Sequence, residues 1–173
     1  MIVNKIYLIN LFINIGENMS QWVLLLGGST GHGAATAKRL AKEGYGVIAF
    51  HFDRGDAKKI AIDTIKEVTK ISNGRCHYFN TNAASQETMD KYVPKIAEIT
   101  EGQPLKLLLH SIAFGTTTNF FGEKPVTQRQ MDMTVHVMGN SLLYWTQKLF
   151  ESKLLSTGSR VMGLTSEGNY LAM

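Results

Sequence analysis

The chain has 173 residues, 44% of them hydrophobic and 18% charged, with 16 glycines and 3 prolines. That is enough for one packed domain and rules out collagen-like and disordered classes. A single cysteine, Cys76, excludes disulfide frameworks and multi-thiolate metal sites and points to a reducing, cytoplasmic setting. The formal charge of +4 is spread along the chain, which suits a phosphate-bearing ligand and argues against nucleic acid as a partner.

Residues 1–20 read as an N-terminal extension. Asn10 and Asn14 interrupt the apolar run, no cleavage site follows it, and it is far short of the ~20 residues that cross a bilayer, so no membrane partner is expected. Met19, just before the first strand, reads as the natural start. The domain proper is expected over residues 21–173.

From Gln21 onward two periodicities alternate. Trp22 to Leu26 is an apolar strand ending in glycines, and Ala34, Ala37, Leu40 and Ala41 share one helical face before Gly44 stops the helix. Val47 to Phe52 forms a second strand. Asp56 to Ser72 forms a helix with Ala61, Ile65 and Val68 inward, closed by Asn73 and Gly74. Arg75 to Phe79 is the third strand. Ser85 caps a helix burying Met89, Val93 and Ile96, with a kink expected at Pro94. Leu105 to Leu109 has the unbroken apolar character of a strand covered on both faces. Thr127 and Gln130 form a capping box, and Met131, Thr134, Val135, Met138, Leu142, Trp145 and Leu149 continue one long inward stripe. The methionines Met131, Met133 and Met138 are expected in the core. Ser159 to Leu164 is the fifth strand. This order predicts an α/β fold of the Rossmann type, a doubly wound parallel sheet in a three-layer α/β/α arrangement.

Between the first strand and first helix stands Gly27-Gly28-Ser29-Thr30-Gly31-His32-Gly33. Glycines here permit a sharp turn and close approach of a pyrophosphate, and the helix N-terminus offers free N–H groups to it. Close packing of the helix on its strand also calls for glycine, and a side chain at Gly33 is expected to crowd the pyrophosphate and the helix N-terminus while leaving the fold largely intact. The alternative reading is a turn without a ligand.

Gly27-x-x-x-Gly31-x-Gly33 resembles the cofactor loop of the short-chain dehydrogenase/reductase superfamily. Leu109-His110-Ser111-Ile112-Ala113-Phe114-Gly115 resembles the matching segment of its enoyl-acyl-carrier-protein reductase branch. The resemblance covers about Gln21 to Met173. It implies NAD(P)H-dependent reduction, most directly of an enoyl thioester carried by acyl carrier protein or coenzyme A, as in fatty acid biosynthesis, by a homo-oligomer when full length. The cofactor contacts it implies are Gly27, Ser29, Thr30, Gly31, His32 and Gly33 in the loop, Asn80 and Thr81 at the adenine, and His110, Ser111, Ile112 and Ala113 past the fourth strand. In family register His51 stands where an acidic residue would select NAD. Asp53, twenty residues after Gly33, suits NAD, whereas that register and Arg54 tip the reading toward NADP. Two other readings stand beside enoyl reduction: a 3-ketoacyl or other carbonyl reductase, and a non-catalytic dinucleotide-binding fragment or partner subunit.

The superfamily's chemistry needs a tyrosine and a lysine after the fifth strand. The one Tyr-x-x-x-Lys, Tyr144 and Lys148, lies before that strand, with Met131 where the family's serine would be sought, and reads as a chance helix pair. Ser166 resembles the family's active-site serine, and Tyr170 follows it too closely to be the proton donor. The domain therefore reads as incomplete at its C-terminus, and the isolated chain as inactive. No metal site is expected, because the five histidines are scattered.

Overall fold

The computed structural model describes residues 21–165; the extension 1–20 and the Ser166 to Met173 segment lie outside the described residues. Five strands, β1 (Trp22–Leu26), β2 (Gly46–His51), β3 (Cys76–Asn80), β4 (Leu107–His110) and β5 (Arg160–Gly163), form one parallel sheet in the order β3-β2-β1-β4-β5. This is the Rossmann-type doubly wound sheet that the alternating periodicities predict.

Side chains of β1 alternate between the two faces. Leu24 and Leu26 join Ile48, Phe50 and Leu108 in one cluster, while Val23 and Leu25 join Val47, Ala49, Leu107 and Leu109 in the other. Helices α1 (Gly31–Lys42) and α2 (Ala57–Ile71) cover the second cluster through Ala37, Leu40, Ala41 and Val68. Helix α3 (Gln86–Ile99) covers the first with Met89, Val93 and Ile96 and is continuous through Pro94; the Ser85 hydroxyl accepts the Thr88 N–H at its start. Burial of these side chains, at roughly 25 cal/mol per Å² of apolar surface, is what holds the layers together.

The long helix expected over 127–149 is instead three pieces: α4 (Gln128–Val135), a π turn (His136–Asn140) and α5 (Ser141–Glu151). The Thr127–Gln130 capping box opens α4 as expected. The inward stripe does not run its full length. Trp145 and Leu149 are buried in the first cluster, but α4 buries none of its residues, and Met131, Met133, Val135 and Met138 are exposed rather than core. Periodicity marks which residues share a face and says nothing about whether a partner lies opposite. Strand β5 sits at the sheet edge with Val161 and Met162 exposed. Among the described residues no helix is long and apolar enough to cross a membrane.

Candidate active site

The sheet order reverses between β1 and β4, because the chain leaves β1 toward β2 on one side and later returns to β4 on the other. In open α/β sheets the crevice beyond the strand C-termini at that reversal is where ligands sit. Leu26 and His110 pair at its base. The Ser111 N–H then donates to the Leu26 carbonyl (2.7 Å), tying the two exits together.

The glycine loop is anchored from beneath. The Gly27 and Gly28 N–H groups both donate to the Phe50 carbonyl (2.9 and 3.0 Å), and the Tyr78 hydroxyl donates to the Gly28 carbonyl (3.4 Å). Gly27 has φ +93, and a Cβ there would lie 2.5 Å from the Ser111 carbonyl oxygen. At Gly33 a Cβ would lie 1.8 Å from the Gly27 carbonyl oxygen. This corrects the expectation that the fold tolerates a side chain at Gly33: the loop's own backbone fills the space, so a side chain here disturbs the fold.

Gly31 behaves oppositely. Its φ is +53 and a Cβ would meet nothing within 4 Å, so the loop opens outward there. Thr30 makes no side-chain cap and no acidic residue stands in the first turn of α1, so its leading N–H groups are left for an anion. Thr30 and His32 are exposed, and Ser29 is buried beneath the loop. The residues present thus fit the pyrophosphate of a dinucleotide: an uncapped helix N-terminus, an approach kept free at Gly31, and no repelling carboxylate.

His51 ends β2, buried, and its Nδ1–H donates to the Asp53 carboxylate (2.7 Å). Asn80 at the end of β3 pairs in register with His51, and its side-chain amide donates to the Asp53 carbonyl (3.2 Å). The Thr81 N–H donates to the His51 carbonyl. Arg54 stacks over the Phe52 ring (4.5 Å). Burial pushes the Tyr78 hydroxyl well above its ordinary range, so it stays a neutral donor beneath the loop. A surface cavity of about 270 Å³ adjoins these residues, lined by Phe52, Thr81, Asn82, Thr88, Lys91 and Tyr92 among others.

Past β4, Ser111 and Ile112 are partly buried and Ala113 is exposed. His110 departs from its expected role. It is a strand residue whose carbonyl accepts from the Leu164 N–H, and its imidazole lies under the helical layer. Nε2–H is shared between the Val137 carbonyl (3.2 Å) and the Ser141 hydroxyl (2.9 Å). Burial pushes the His110 pKa down, with the bond to the Val137 carbonyl opposing it, so the ring is neutral. Bonding in the π turn sends N–H groups one residue further back than in an α-helix and engages the His136 carbonyl, which leaves the Val137 carbonyl to His110 and Ser141. His110 thus bonds into the π turn rather than into the crevice. His136, in the turn itself, bonds the Ala84 carbonyl (2.9 Å), and Trp145 bonds the Ala83 carbonyl (2.7 Å). These anchors were missed in the sequence, where a histidine beside a glycine-rich exit signals chemistry and packing equally well.

Tyr144 and Lys148 do not reach the crevice. Tyr144 packs near His136, and the Lys148 ammonium bonds Asp90 on α3. Ser166 lies outside the described residues. Among those described, no group of three His, Cys, Asp or Glu could hold a metal ion.

The sequence profile of the short chain dehydrogenase family matches residues 21–168. The chain belongs to this family. Its members bind NAD(P), which agrees with the fit found at the loop. No curated protein matches the chain. Among solved structures, it is similar to a short-chain dehydrogenase/reductase from Serratia marcescens (22% identity, TM-score 0.68, 87% of this chain and 57% of that one). It is also similar to a protein from Brucella melitensis titled short-chain dehydrogenase/reductase, glucose/ribitol dehydrogenase (18%, TM-score 0.73, 89% and 60%). A short chain dehydrogenase from Bacillus anthracis aligns at 16% identity with TM-score 0.68, over 90% and 59%. At these identities the likeness is one of fold. The chain spans about 60% of the length of these short-chain dehydrogenases.

Proposed function

We infer that the chain is the dinucleotide-binding part of an NAD(P)H-dependent reductase acting on an enoyl thioester. The observation that carries the dinucleotide half is the uncapped start of α1, open at Gly31, at the sheet's reversal point. Its leading N–H groups would hold the pyrophosphate. His51 and Asp53 would meet the adenosine ribose, and Asn80 and Thr81, beside the rings of Phe52 and Tyr92, the adenine. Ser111, Ile112 and Ala113 would border the nicotinamide half. When bound, the cofactor supplies hydride. The thioester half rests on His110-Ser111-Ile112-Ala113-Phe114, with acyl carrier protein or coenzyme A as the carrier and a homo-oligomer as the working assembly.

For the isolated chain, one observation favours a binding role over catalysis: Lys148, partner of the Tyr144 pair, is held by Asp90 on α3. Proton transfer from a positioned acid contributes about 10² to 10⁴-fold, and no tyrosine–lysine pair among the described residues supplies it at the crevice. The test is a titration of the 173-residue chain with NADH and NADPH, followed by NAD(P)H oxidation with crotonyl and acetoacetyl thioesters. Binding without turnover is expected. Absence of binding refutes the dinucleotide reading; turnover of acetoacetyl but not crotonyl thioester refutes the enoyl reading.

A further inference from the structure

Tyr78 stands on β3, beyond β2 from the glycine loop, and its side chain crosses the α1 and α2 face of the sheet to reach that loop. Its ring sets an edge against the His51 ring, 6.2 Å between centroids, and its hydroxyl donates to the Gly28 carbonyl (3.4 Å). Burial keeps the hydroxyl protonated, so it is a donor throughout the working pH range. Gly28 itself lies against β2, where an added Cβ would come within 2.6 Å of the Ala49 Cβ. The peptide joining Gly28 to Ser29 is trans and planar, so its N–H points opposite to its carbonyl. With that carbonyl drawn toward β3, the Ser29 N–H is turned the other way, toward the β1 and β4 exits that bound the crevice. Among the described residues no carbonyl accepts from it.

We propose that Tyr78 is a positioning residue for the dinucleotide: its hydroxyl fixes the Gly28–Ser29 peptide so that the Ser29 N–H donates to the pyrophosphate. The inference rests on the dinucleotide reading above. A flipped peptide would present the Gly28 carbonyl oxygen to the diphosphate, putting a repelling dipole where a donor is needed. Glycine makes such a flip easy, because it takes positive and negative φ about equally readily. The bonds from the Gly27 and Gly28 N–H groups to the Phe50 carbonyl hold the peptides on either side of Gly27, and neither touches the peptide that follows Gly28. The Tyr78 hydroxyl acts on that peptide directly. The ring fills its place on the sheet with or without the oxygen, so the two roles of the side chain separate cleanly in Tyr78→Phe.

The experiment compares the full 173-residue chain with Tyr78→Phe in three titrations: NADH by fluorescence, then inorganic pyrophosphate and adenosine by displacement of NADH. Loss of one neutral hydrogen bond at the loop should weaken NADH and pyrophosphate alike, by about fivefold, and leave adenosine, which carries no phosphate, unchanged. A general loosening of the fold would weaken all three. Amide hydrogen exchange followed by NMR reads the donor itself: NADH should slow exchange at the Ser29 N–H in the wild type, and less so in Tyr78→Phe. The wild-type half of that measurement tests the inference even if the variant does not fold. Equal NADH affinity in the two proteins, a matching loss for adenosine, or a Ser29 amide indifferent to NADH in a wild type that binds it overturns the inference while leaving the dinucleotide reading in place. Failure of the wild type to bind NADH overturns both.

Discussion

Gly33 and Gly31 stand two residues apart in the same loop, and the structure assigns them opposite sensitivities. In Gly33→Ala the new Cβ would lie 1.8 Å from the Gly27 carbonyl oxygen and 2.9 Å from its carbon. Both are backbone atoms that cannot rotate away, and Gly27 is bonded to Phe50 through its N–H. Inserting a methyl group into such a site costs about 1–3 kcal/mol, against a gain of up to about 1 kcal/mol from alanine in a helix. The expected net loss of up to about 3 kcal/mol corresponds to a fall in Tm of up to roughly 12 °C for a domain of this size. Gly31→Ala meets no atom within 4 Å, so its cost is the left-handed backbone alone, about 1–2 kcal/mol. Bulk separates the two positions. Gly33→Val should lower Tm further than Gly33→Ala through packing, whereas in Gly31→Val, whose Cβ meets no atom, any loss beyond that of Gly31→Ala comes from a β-branched side chain at positive φ, and dinucleotide binding is abolished. Thermal unfolding and NADH titration of all four variants decide it. A Gly33→Val protein as stable as Gly33→Ala would refute the packing argument, and a Gly31→Val protein with wild-type affinity would refute the placement of the pyrophosphate.

His110→Gln should lose part of the bonding to Val137 and Ser141 and cost about 1–3 kcal/mol in chemical denaturation. Because burial lowers the folded-state pKa of His110, the unfolded chain binds its proton more readily, so His110 contributes stability that is present above the unfolded value of about 6.5 and lost as pH falls toward the folded pKa. The fall in stability from about pH 7.5 to pH 5.5 should be shallower in His110→Gln, and an identical slope would show that the ring is not buried neutral. Tyr144→Phe and Lys148→Ala should leave NADH affinity unchanged in fluorescence titration, since Tyr144 packs near His136 and Lys148 is held by Asp90; a tenfold loss in either would return that pair to the site. His51→Asp should shift the NAD⁺ to NADP⁺ affinity ratio about tenfold toward NAD⁺, and an unchanged ratio would move the ribose reader elsewhere.

Strands β1 to β4 and helices α1 to α3 are legible in the sequence because each carries a local signal, an apolar run or stripe and a stop, with a side-chain cap added at α3. Ser85 and the Gly27–Gly33 loop are such signals, and the structure uses both at the expected places. The π turn is not legible. The bond made to its Val137 carbonyl comes from outside the helix, from His110, 27 residues earlier in the chain. The same long-range contact makes His110 look like a site residue when only its neighbours in sequence are considered. Gly33 reads correctly as obligatory, but the damage a side chain there does to the fold is not legible, since only three dimensions place the Gly27 carbonyl against it. The exposure of Met131, Met133 and Met138 is likewise invisible to a pattern that ranks faces but not their coverings.

The sheet order has a consequence for the route by which the chain folds. β1, β2 and β3 are sequential neighbours joined by short crossovers, so this half can pair as soon as it leaves the ribosome. β4 must return to β1 across about 80 residues, and such distant pairings form late because loop closure precedes any reward. The crevice is built by both halves, with Gly27 contributed early and Ser111 late. A dinucleotide that touches both would bind only after that last pairing. It would thereby stabilise the completed sheet by mass action, drawing newly made chains past the step at which the unpaired edge of β1 is still open.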